Sequence, residues 1–191
     1  MKKRLEYLGM ADFDYLAARL LMIHGLVTVA LPKAAEAVEK LMKLFLVLEA
    51  KISRNENLTA KDLKGYGHDL ERLFAQFKTK VPVTFGGEWD DYVKCLQESY
   101  TYRYPEHWTQ YRAELDLDKL DFVYVHMRNN IILNFPLEER QRVRHFGTFL
   151  YDAYTAEAFD LIGRLGGKNP GEILRLSNQQ FALLDIDASR I

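Results

Sequence analysis

Apolar residues recur at intervals of three and four along most of the chain, whereas the alternation that marks a half-buried strand is nearly absent. Tyr15, Leu16, Leu20, Ile23 and Leu26 fall on helical spacing with Arg19 among them, which predicts a first helix ending near Gly25. Pro32 permits a fresh start. Over residues 33 to 51 the stripe Ala34, Ala37, Val38, Leu41, Phe45 and Leu48 is interleaved with Lys33, Glu36, Glu39, Lys40 and Lys43, as a long amphipathic helix requires. Residues 53 to 59 are polar and turn-rich, and Thr59 can cap a short helix that Gly65 and Gly67 interrupt. Leu70, Leu73, Phe74 and Phe77 predict a third main helix from Asp69, closed by Pro82 and the Gly86-Gly87 pair.

A fourth helix is expected from about Trp89 to Tyr102, followed by an irregular connection through Pro105, His107 and Trp108 to Leu115. From Asp118 the positions Leu120, Val123, Met127 and Ile131 trace another helical face that closes near Asn134, and Pro136 stops it. A last long helix is expected over residues 137 to about 165, with Glu138 and Glu139 at its positive end and Gly166-Gly167 after it. Residues 168 to 191 read as a short appended helix and tail. No internal repeat, low-complexity tract or linker stands out. The pattern therefore predicts an all-α, up-and-down helical bundle with four to five core helices and additional C-terminal helices, forming one domain over residues 1–191.

Composition narrows the partners more than the fold. The chain has 191 residues, 48% of them hydrophobic and 28% charged, which suits one globular domain rather than a disordered chain. A formal net charge of −1 gives no global attraction to nucleic acid or anionic membrane, so any anion site must come from local clusters. Cys95 is the single cysteine, which excludes an internal disulfide and every multi-cysteine metal site and suits a reducing cytoplasm. The apolar stretch from Leu20 to Leu31 contains His24, follows Asp12, Asp14 and Arg19, and is too short to span a bilayer. A cytoplasmic protein without a membrane anchor is expected.

Four segments carry a family resemblance: Tyr15-Leu16-Ala17-Ala18, the run Ala34-Ala35-Glu36-Ala37-Val38-Glu39-Lys40-Leu41, Gly67-His68-Asp69-Leu70, and Arg103-Tyr104-Pro105-Glu106. In this order and spacing the chain resembles the HEPN superfamily, the higher eukaryotes and prokaryotes nucleotide-binding domains. The likeness covers roughly residues 10 to 107 and leaves residues 115 to 191 as a C-terminal helical extension. It implies a helical bundle that pairs into a homodimer and binds nucleotide or RNA, without catalysis or beside a nucleotidyltransferase partner. It also implies, as an alternative, a metal-independent ribonuclease of a toxin–antitoxin or defence system, and no cofactor. A third possibility, from another class, is a dimeric protein-interaction scaffold.

The nuclease members of that family carry an arginine separated from a histidine by four to six residues, often with asparagine after the arginine. Here Arg128-Asn129 opens the pattern but Leu133 stands in the histidine's place. Arg140 and His145 keep the spacing without the asparagine, and are the candidate catalytic pair, with His145 as acid or base. For ligand binding the candidates are His68, with Lys64 close by in sequence, and Arg103 with Tyr104, where a guanidinium between aromatic rings can stack on a base and pair with a phosphate. Each has a structural alternative. Asp69 and His68 can cap the helix that follows, Arg103 can pair with Glu98 or Glu106, and the Arg140, Arg142, Arg144 cluster can be a solvated helix face. The histidines at 24, 68, 107, 126 and 145 show no paired metal-ligand spacing, and no metal is expected.

Overall fold

The computed structural model describes residues 2–81, 85–100, 117–137, 140, 175 and 178–180, with side chains from residue 7 onward except at residue 60. Among these residues there are six α-helices and no strand: α1 (Lys2–Ile23), α2 (Val27–Arg54), α3 (Ala60–Lys64), α4 (Leu70–Lys78), α5 (Gly87–Ser99) and α6 (Leu117–Leu133). The chain is an all-α helical bundle, as the periodicity predicts. No helix among the described residues is long and apolar enough to cross a membrane.

Helix α2 is the centre. It packs against α1 along its length and also meets α4, α5 and α6. The sequence explains this position: Ala34, Ala35, Ala37, Val38, Leu41, Met42, Leu44, Phe45 and Leu48 are all essentially buried, while the stripe through Lys33, Glu36, Lys40, Lys43 and Lys51 reaches solvent, as do the two ends of the helix. The alanines let neighbouring helices approach closely, while Phe45 meets Phe77 of α4 edge-on at 4.8 Å between ring centroids. Phe74 and Phe85 continue the aromatic core at 5.4 Å.

Helix α2 departs from the expected start. It begins at Val27, and Pro32 lies within it rather than opening it. Proline's fixed φ fits a helix, and at the sixth residue the only hydrogen bond it forfeits is to the Thr28 carbonyl. Burial of Leu31, Ala34 and Ala35 holds the backbone helical across that gap. Gly25, at φ +74°, makes the sharp turn from α1.

The shorter elements follow local chemistry. Thr59 and Asp62 form a reciprocal capping box at the start of α3. Asp69 caps α4, its Oδ1 accepting from the Arg72 amide at 2.9 Å. Helix α4 ends at Lys78, before Pro82, and α5 spans Gly87–Ser99, close to the expected Trp89–Tyr102. The expected helix over residues 137 to 165 lies outside the described residues except at Leu137 and Arg140, and the expected appended helix and tail over residues 168 to 191 does so except at Arg175 and Asn178 to Gln180.

Candidate functional site

Gly67-His68-Asp69 forms the turn between α3 and α4, and its position is set from below by α2. Gly67 adopts φ +55°, a left-handed conformation in which a side chain would be strained, and its carbonyl accepts from Lys43 Nζ at 2.7 Å. His68 then stands over Glu39, with Nδ1 at 2.9 Å from Oε2. Tyr100, which caps the C-terminal end of α5, donates its hydroxyl to the same Glu39 oxygen, while Lys43 pairs with Oε1. The imidazole and the Tyr100 ring lie 5.2 Å apart at 51°.

Glu39 is the hub of this cluster. Burial tends to raise its carboxyl pKa, but hydrogen bonds from His68, Lys43 and Tyr100 prevail and hold it below the ordinary value. Its side chain is 9% exposed while that of His68 is 69% exposed, so the carboxylate anchors a ring that faces solvent. Lys64 is also exposed, on α3 just before the turn. Asp69 points elsewhere, into its own helix cap.

The other expected site residues separate from this cluster or lie outside the described residues. Arg103, Tyr104 and His145 belong to the latter group. Arg140 places its guanidinium on the end of α6, donating through Nε to the Phe135 carbonyl at 2.8 Å and through NH2 to that of Leu133. There it satisfies the last carbonyl of α6 and one in the turn that follows the helix. Among the described residues no three histidine, cysteine, aspartate or glutamate side chains converge as a metal site would require.

A second polar constellation lies inside the bundle, between α1 and α6. Asp12 accepts from Tyr124 at 2.7 Å and from Arg128 at 2.8 and 3.0 Å. Reciprocally, Asp121 accepts from Tyr15 at 2.7 Å and from Arg19. All six residues are buried, and the two tyrosine rings stack between the pairs with centroids 4.1 Å apart and planes 4° apart. Asn178 joins from the C-terminal region, donating to the Tyr15 hydroxyl at 3.2 Å. Burial lifts both tyrosine hydroxyls well above their ordinary pKa, and the neighbouring aspartates push the same way. Burial also raises Asp121, with Arg19 and Tyr15 pulling it back.

This arrangement corrects the expectation that the chain lacks an internal repeat. Asp12-Phe13-x-Tyr15-x-x-x-Arg19 and Asp121-Phe122-x-Tyr124-x-x-x-Arg128 are the same pattern, each preceded by a leucine four positions before the aspartate, Leu8 and Leu117. The pairing of residue 12 with 128 and of 19 with 121 shows that the helices run antiparallel in register, about a local two-fold through the tyrosine stack. Arg128 is thus a core residue, held by Asp12. The signal was present in the sequence, but its two copies are far apart and each hides within an apolar helix.

A cavity of about 320 Å³ opens beside the α6 copy of this pattern. Trp89 of α5 and Phe122 form its aromatic part, their rings stacked at 4.2 Å, and behind them His126 lies tilted by 39° against Phe122 at 4.1 Å. Asp118, Lys119 and Asp121 line it from α6, and the side chains of Gln179 and Gln180 from the C-terminal region. Gln179 donates to Asp118 at 3.3 Å. Burial lowers the His126 pKa, while its hydrogen bond with Gln180 acts in the opposite sense.

Comparison with family models, with curated proteins and with solved structures returns no match to this chain.

Proposed function

We propose that the chain is a HEPN-like module that binds nucleotide or RNA, either alone or beside a nucleotidyltransferase, and does not cleave it. The observation that carries this reading is the exposed His68 ring, fixed by Glu39 and flanked by Tyr100, on the turn that bears the family-like Gly-His-Asp-Leu run. An imidazole so held can stack on or hydrogen-bond to a base, and the exposed Lys64 brings positive charge just before the same turn. Binding is favoured over cleavage because the Arg140 guanidinium is engaged with backbone carbonyls. The resemblance to the family contributes the ligand class, by analogy of fold and motif.

Thermal unfolding with nucleoside triphosphates and a short single-stranded RNA tests this. A ligand that binds only the folded state at about 100 times its Kd adds roughly 2.7 kcal/mol, a clear rise in Tm. The rise is expected for the wild type and reduced in His68→Ala, Lys64→Ala and Arg103→Ala. No rise with any nucleotide or RNA at millimolar concentration refutes the reading, and RNA cleavage in chelator that His145→Ala abolishes replaces it with the nuclease.

A further inference from the structure

The two copies of the buried pattern agree where they hold the helices together and differ where the cavity lies. Aspartate, phenylalanine, tyrosine and arginine recur in both, but the cavity residues Asp118 and Lys119 correspond to Gly9 and Met10 on α1. The polar lining is therefore not a requirement of the helix pairing. It belongs to one copy, together with an aromatic stack from α5 and two carboxamides from the C-terminal region.

We propose that this cavity is a binding site for an unphosphorylated, planar heterocycle carrying both donors and acceptors on its edge, the chemistry of a nucleoside base. Its volume lies at the small end of the range for small-molecule sites. The half-buried Trp89 indole offers a flat apolar surface, and Gln179 and Gln180 supply both amide donors and carbonyl acceptors beside it. Charge does not select a phosphate here: Arg19 compensates Asp121 from the core side and Lys119 balances Asp118, so the described lining carries no surplus positive charge. A base edge adds to the hydrogen bonds these groups already make with one another. A phosphate dianion finds no surplus cation among them.

This site is independent of the one proposed at His68. Trp89 and Tyr100 stand at opposite ends of α5, eleven residues apart, which at 1.5 Å per residue is about 16 Å along the helix. A base seated on Trp89 does not reach His68.

Titration calorimetry of the full chain with adenosine, guanosine, cytidine and uridine, and with their 5′-monophosphates, separates the two sites. At least one nucleoside is expected to bind, its monophosphate no more tightly. Trp89→Ala and Gln179→Leu should each weaken binding by about tenfold or more, a loss of 1.4 kcal/mol, and His68→Ala should leave it unchanged. Gln179 is exposed, so its variant tests the cavity without disturbing the core. Absence of nucleoside binding at millimolar concentration overturns the proposal, as does binding that Gln179→Leu leaves intact. Binding that strengthens with phosphate and disappears in His68→Ala overturns it in favour of the His68 site alone.

Discussion

Glu39 shows how one buried carboxylate can determine the behaviour of an exposed ring. Three partners donate to it, from α2, from the turn before α4 and from the end of α5. Its pKa is lower in the folded chain than its ordinary value of 4.5, so the folded state binds fewer protons there than the unfolded state. The stability it contributes is complete above that value and is lost as pH falls through the depressed folded pKa. Urea unfolding of Glu39→Gln should show a loss of about 1–3 kcal/mol at pH 7, with the difference from wild type shrinking at acid pH. A difference that grows on acidification contradicts this assignment. The Asp69 cap was legible in the sequence because its partner is three residues away. The His68 anchor was not, since Glu39 and Tyr100 lie 29 and 61 residues from the groups they join.

At the scale of elements, the legible part is the periodicity. Leu70, Leu73, Phe74 and Phe77, spaced three and four apart, all prove buried, and the stripe on α2 behaves likewise. Pro32 misleads because its local preference for a first turn is overridden by packing on both sides of it. On α1 and α6 the buried faces are partly polar, so apolar spacing alone does not show which helices meet. Their reciprocal pairs settle the match, and the energetics of such pairs are asymmetric. Arg19→Met leaves Asp121 buried with one partner fewer and should cost about 3–5 kcal/mol, whereas Arg19→Met with Asp121→Leu removes both charges and should recover much of the loss. Denaturant midpoints of the single and double variants measure this coupling. Additive losses contradict it.

For the whole molecule, α2 provides the rigid axis on which two unlike regions are built: the Glu39 cluster at the turn before α4, and the cavity bordered by α5 and α6. Asn178 ties the C-terminal region to the centre through Tyr15, 163 residues away, so that at this point the region belongs to the core rather than to an appended tail. The antiparallel pattern has a further consequence for the order of assembly. In a growing chain α1 is complete before α6 is made, and in a refolding chain α6 must close a long loop to reach it, while Asp12, Tyr15 and Arg19 carry every group needed to satisfy the same three residues of another α1. Two early chains can therefore meet through α1 in the register that α6 later occupies, and must part before either becomes native. Stopped-flow refolding should show a slow phase whose amplitude rises over about a tenfold increase in protein concentration; a single concentration-independent phase would exclude this detour. The symmetry that closes the native core is then also its characteristic kinetic trap.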